Sequence, residues 1–173
     1  MRLAELLVQE KKAILERCIS LTLETYPQET TRFLRDEKDP FVNPIGHTLT
    51  RELEKIFNGL VSRTDLEELE APLDAIIRIQ AVQEFAPSEA LAFLPMLKRS
   101  IREHVAGEKP ASDLSVDLLR LESRLDELLF RAFDIYMECR EKISEIRLKE
   151  ARAERERLAR VVMAMDGQKA SKQ

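Results

Sequence analysis

The chain has 173 residues, 44% hydrophobic and 35% charged, with net charge −4, four glycines, seven prolines and no tryptophan. That length is enough for one domain whose core needs neither disulfide nor metal. Leu, Glu, Arg, Ala and Lys dominate and runs of alternating β-branched residues are missing, which excludes a sheet protein and makes the class all-α.

The opening Met1-Arg2-Leu3-Ala4-Glu5 has no apolar run of the kind a secretory signal needs. No window approaches the roughly 18 uncharged apolar residues of a membrane span. A cytoplasmic protein is expected. In that compartment Cys18 and Cys139 read as buried thiols.

Apolar spacing predicts a first helix over residues 3–24, with Leu3, Leu7, Ile14, Cys18 and Leu21 on one face. Tyr26-Pro27 ends it, because the residue before proline is pushed out of the α region. A short helix follows through Arg32-Phe33-Leu34, then a loop over residues 36–44 in which Asn43 caps a helix with Pro44 at its first position. That helix, over residues 44–61, carries the stripe Ile45, Leu49, Leu53, Ile56 and Leu60, with Asn58-Gly59 as a point of fraying. The next, from about Pro72 to Glu84, has an apolar arc too broad for one wet face (Leu73, Ile76, Ile77, Ile79, Ala81, Val82), so it is expected to be the central, most buried helix.

A helix over residues 87–104 follows, with Leu91, Leu94, Leu97 and Ile101 inward and a kink at Pro95. The helical body is thus residues 1–106, an antiparallel bundle, and residues 107–112 are its linker. From residue 113 the pattern stays helical to about Met165, before a disordered tail over 166–173. Its seam includes Leu118, Leu121, Leu125, Leu128, Ile135, Ile143 and Ile146, and suits packing on the body or pairing with a second copy. At about 1.5 Å per residue this helix is longer than a body of ~110 residues is wide, so residues 147–165, charged and without the seam, are expected to project. Eight Lys/Arg against four Asp/Glu in residues 147–173 leave −8 for residues 1–146, a balance against nucleic-acid binding by the body.

Chemistry is scarce. His47 and His104 are the only histidines, without metal-ligand spacing, and neither a phosphate-cradling glycine loop nor a nucleophile elbow is present. No catalytic residue, metal or cofactor is expected. Arg78 stands out, flanked by Ile76-Ile77 and Ile79 on the helix expected to be buried. It reads either as a paired arginine that fixes helix register or as an anion-holding group in a ligand pocket.

Three segments resemble a known family: Tyr26-Pro27; Asp39-Pro40-Phe41-Val42-Asn43-Pro44-Ile45-Gly46; and Ile77-Arg78-Ile79-Gln80-Ala81-Val82-Gln83-Glu84-Phe85-Ala86-Pro87-Ser88-Glu89-Ala90. Over residues 1–140 the chain resembles the N-terminal domain of RsbRD-type RsbT co-antagonists, the sensory part of stressosome-like regulators. There the helical domain precedes a linker helix and a STAS domain that engages a kinase-like switch protein. The resemblance implies an all-α sensor module, globin-like without haem, dimeric through its last helix and without catalytic residues. Phe41, Asn43, Pro44, Gly46, Arg78 and Gln83 are matching motif positions and the candidate sensing or packing residues. With no room for a STAS domain in 173 residues, the expectation is a stand-alone sensor or adaptor. It would relay a signal to a protein partner, a regulatory kinase or STAS protein, and form a homodimer. The alternatives are a small-ligand or haem-binding protein with a pocket near Arg78, and a scaffold subunit of a larger complex.

Overall fold

A computed structural model describes residues 3–36, 39, 41–106 and 112–170. These residues form eight α-helices and one 3-10 turn, with no strand among them. The linker expected at 107–112 lies outside the described residues, save Ser112. Glu37, Lys38 and Pro40 of the expected loop also lie outside them.

The single helix expected over 3–24 is two, α1 (Leu3–Gln9) and α2 (Lys11–Glu24). The break is slight. Glu10 leaves helical geometry at φ −91°, ψ 5°, yet its N–H still donates to the Leu6 carbonyl at 2.9 Å. The apolar stripe therefore continues across it, and Leu3, Leu7, Ile14, Cys18 and Leu21 are all buried.

After α3 (Gln28–Asp36), helix α4 (Pro44–Ser62) begins at the expected cap. Gly59 causes no fraying. A Cβ there would lie 2.4 Å from Leu69 Cδ2, so the missing side chain admits Leu69 of the 3-10 turn Leu66–Leu69. The helix ends at Arg63, whose φ of 59° is left-handed, with Thr64 N–H bonded to the Gly59 carbonyl and Arg63 N–H to that of Leu60. This is a Schellman ending with arginine in the position that favours glycine.

Helix α5 (Glu70–Val82) buries Leu73, Ile76, Ile77, Gln80 and Ala81, one stripe at spacings of three and four. It was expected to be the central, most buried helix; of its broad apolar arc, Val82 is exposed and Ile79 half-buried. A second Schellman ending closes α5, with Glu84 at φ 64°.

The kink expected at Pro95 is also corrected. The chain turns instead after α6 (Pro87–Ala90), and Pro95 is the third residue of a new helix, α7 (Phe93–Val105). There its missing N–H falls among donors that have no intrahelical partner anyway.

The final helix, α8 (Ser112–Ala170), runs for 59 residues, past the end near Met165 expected from the pattern. By contact the chain divides into two units, residues 1–137 and 138–173.

In the first unit α2 pairs with α7 and α4 with α5 most extensively. The α2–α7 pair is antiparallel: Ser100 Oγ donates to the Ile14 carbonyl at 2.7 Å, and Cys18 Sγ to that of Phe93 at 3.4 Å. Helix α8 runs antiparallel to α7, with Lys98–Asp126 at 2.8 Å and the Arg102–Glu122 fork one turn along each helix. Leu121, Leu125, Leu128, Ala132 and Tyr136 complete the core.

In the second unit, every described side chain from residue 144 to 165 is exposed. The polar ones pair locally, as in Glu154–Arg157 at 3.5 Å.

Candidate functional site

The three segments that carry the resemblance meet at one groove on the first unit. It has a volume of about 430 Å³, and Pro27, Ile45, Gln83, Phe85 and Glu89 line it along with Phe33 of α3. Of the expected motif residues, Gln83 therefore lies in this groove.

Asn43 and Gly46 join the helices that supply Phe33, Leu34 and Ile45 to it. The Asn43 side chain is buried; its Oδ1 accepts from Gly46 N–H at 2.8 Å and its Nδ2 donates to the Leu34 carbonyl at 3.0 Å. One amide thus caps α4 and ties it to α3. Gly46 must be glycine for this, since a Cβ there would sit 2.6 Å from Asn43 Nδ2. Pro44 takes the first position of α4, where a missing donor is harmless.

Phe41 packs against none of the described residues to any extent. It is 96% exposed, beside the half-exposed Val42, and is a surface feature rather than a packing residue.

Arg78 is the clearest departure from expectation. Its side chain is 52% exposed, and it holds Asp74 one turn earlier on α5 in a two-pronged bond at 2.7 and 2.8 Å. Position 78 is off the buried stripe, so the expected buried guanidinium does not exist and Arg78 is not a member of the groove.

The buried polar residue of α5 is Gln80. Among the described residues neither end of its amide, nor the nearby Tyr26 hydroxyl, has a partner in hydrogen-bonding geometry. Burial raises the Tyr26 pKa, partly offset by the Gln80 amide beside it. The Tyr26 ring lies 4.9 Å from that of Phe85, which forms the groove wall. Tyr136 of α8 donates to the Phe85 carbonyl at 2.7 Å. A glutamine falling on the apolar spacing Leu73, Ile76, Ile77 was the sequence signal for this pair.

Burial also pushes the Cys18 thiol up to about 12, although Thr22 works against the rise, so it stays protonated and inert at neutral pH. Cys18 and Cys139 are both buried, and neither is in a disulfide. His47 is exposed at the start of α4, and His104 is half-buried with Nδ1 against the Ser100 carbonyl of its own helix at 2.8 Å. Among the described residues no group of three or more His, Cys, Asp or Glu could hold a metal ion. Nor is any helix among them long and apolar enough to cross a membrane.

The candidate seam divides by position. Leu121, Leu125 and Leu128 are buried in the chain's own core, whereas Leu118, Ile135 and Ile143 are half-buried and Ile146 is exposed. Opposite the buried stripe, Phe130, Phe133 and Met137 are exposed at spacings of three and four. In the second unit Leu158, Val161 and Met165 repeat that spacing, also exposed.

The described residues are all-α, and the last of their helices runs for 59 residues. The chain belongs to the family of the RsbT co-antagonist protein rsbRD N-terminal domain, whose model matches residues 12–152. That family is a regulatory domain of signal transduction rather than a known enzyme family. The chain is also similar to an uncharacterized protein of Archaeoglobus fulgidus, with 29% identity over 158 residues, 88% of this chain and 92% of the relative. No solved structure matches it.

Proposed function

We propose that the chain is a cytoplasmic, non-catalytic sensor or adaptor that passes a signal by protein contact through α8. The observation that carries this reading is the uncovered apolar surface of that helix. Leu158, Val161 and Met165 line one side of a stretch in which every described side chain is exposed. A helix without a covered apolar face gains little stability from packing, and contiguous exposed apolar groups mark a contact surface. Family membership supports a regulatory protein as the partner. A kinase or STAS-domain protein is the partner class, and a second copy of the chain is the homodimer reading. Because Leu121, Leu125 and Leu128 serve the chain's own core, partner contact falls on Phe130, Phe133 and Met137, or on the exposed residues from Ile146 onward.

The test uses the full chain and the double variant Leu158→Glu/Val161→Glu, each run by size exclusion with light scattering, alone and with a purified STAS-domain protein or RsbT-type kinase. Complex formation by the wild type and its loss in the variant, with unchanged helicity, is the expected result. Equal association by both removes this stretch from the contact. Association with neither class of partner ends the signalling reading.

A further inference from the structure

The body is acidic, yet arginines rim one cleft on it. The cleft measures about 530 Å³ and lies between α1, the end of α4 and the early turns of α8, all within the first unit. Leu7, Leu60 and Leu121 contribute its apolar wall; Arg63, Arg120 and Arg124 contribute its rim, with Asp117 as the single carboxylate among the lining residues.

The charges do not balance. Arg63 Nη2 donates to Asp117 Oδ1 at 3.1 Å, and Arg120 Nη1 reaches the same oxygen at 3.5 Å. Arg124 donates to the Thr64 carbonyl. Each guanidinium carries five N–H donors, so one carboxylate and one carbonyl leave most of them unused. The Arg63 and Arg120 side chains are both about two-thirds exposed or more, at 69% and 71%.

Arg63 also occupies the left-handed position that closes α4, at φ 59°. Glycine is favoured there, and a side chain held at positive φ marks a place where local stability has been given up. Here the strain delivers a cation to the mouth of the cleft.

We propose that this cleft binds an amphiphilic anion, an alkyl chain ending in a carboxylate. The leucine wall takes the chain, and Arg63 with Arg120 takes the head group in the fork geometry that guanidinium offers a carboxylate. The volume is that of a small-molecule site. A small inorganic anion would leave the leucine wall wet, and an uncharged chain would leave the excess cations unmatched. Bound there, the ligand spans α4 and α8 where Arg63 and Asp117 already join them. The inference deepens the sensor reading, on which it rests for its purpose, by naming what is sensed. The binding itself is measured without any partner.

The experiment is calorimetric titration of decanoate into the full chain, with decanol, decyl phosphate, acetate and inorganic phosphate as comparisons. Decanoate is expected to bind with a Kd on the order of 10 µM. The double variant Arg63→Gly/Arg120→Gln is expected to bind it at least about tenfold more weakly. Arg63→Gly relieves the backbone strain, so the loss is expected in a folded protein, as circular dichroism checks. Ala4→Trp, at an exposed lining position, fills the cleft and is expected to abolish binding with every arginine in place. If the arginine variant fails to fold, Ala4→Trp carries the decision.

Four results overturn the proposal: no decanoate binding at about 1 mM, equal affinity in both variants, acetate or phosphate binding as tightly as decanoate, or decanol doing so. Tighter binding of decyl phosphate overturns the carboxylate assignment. Partner association without decanoate binding strikes this inference alone, and decanoate binding without partner association strikes only the signalling reading.

Discussion

Residues 112–137 and 138–165 belong to one helix and live under different rules. In the first stretch, apolar residues at spacings of three and four are buried, and the opposite face keeps Phe130, Phe133 and Met137 exposed. In the second, Leu148, Leu158, Val161 and Met163 are as apolar as anything in the first, yet all four are at least half exposed. Hydrophobicity alone did not decide burial; the presence of a facing surface did. Helical pattern therefore reports the capacity to be covered, and only packing reports whether the chain supplies the cover itself.

The largest effect expected to sharpen this contrast is Leu128→Ala against Leu158→Ala. Leu128 is fully buried, so truncation leaves a cavity and is expected to cost about 2–5 kcal/mol in urea unfolding. Leu158→Ala is expected to stay within about 0.5 kcal/mol in the isolated chain. A comparable loss at both sites breaks the comparison.

Next comes the clamp at the groove. Asn43→Ala removes a cap and orphans the Leu34 carbonyl, for an expected loss of about 1–2 kcal/mol by the same melt. Gly46→Ala is expected to destabilise as well, because its Cβ meets the Asn43 amide.

Acid sensitivity should belong to the body. Hydrogen bonds from Arg17, then from Arg99, hold the Glu103 carboxyl down to about 2, below its ordinary 4.5. A depressed carboxylate contributes stability above its unfolded value, and that contribution is lost as pH falls from about 4.5 through about 2. Glu103→Gln is expected to flatten the stability profile in that window, followed by thermal melts at stepped pH. The exposed Glu154–Arg157 pair of the outer stretch is expected to contribute nothing measurable to stability, as Glu154→Ala would show in urea unfolding.

Smallest of all, Arg78→Met is expected to change stability by less than about 0.5 kcal/mol, since the Arg78 side chain is 52% exposed and its bond to Asp74 lies within one helix.

The fold was largely legible because helices advertise themselves through spacing and caps. Leu49, Leu53, Ile56 and Leu60 fell on one stripe and are buried on one face, and Asn43-Pro44 announced the start of α4. What failed were judgements that need the third dimension. Arg78 looked buried because its sequence neighbours are isoleucines. A helix advances 100° per residue, however, and position 78 stacks on Asp74 rather than on Ile76 or Ile77. Gln80, four residues beyond Ile76, was the buried polar group. Pro95 looked like a kink because the turn at Leu91-Ala92 carries no glycine or proline of its own to announce it. The arginine-rimmed cleft was illegible for another reason. Arg63 and Arg120 lie 57 positions apart in the sequence, and only the packing of α4 against α8 brings both to the same Asp117.

The Asn43 clamp has a consequence for the order in which the body opens. A single side chain bonds the last turn of α3 and the first turn of α4, so loosening either end displaces the amide that holds the other. The Gly46 amide is thereby made a reporter for both helices. Its deuterium uptake should follow the loosening of α3 as well as that of α4, and the groove, lined by Phe33 and Leu34 of α3 and Ile45 of α4, should open in the same event.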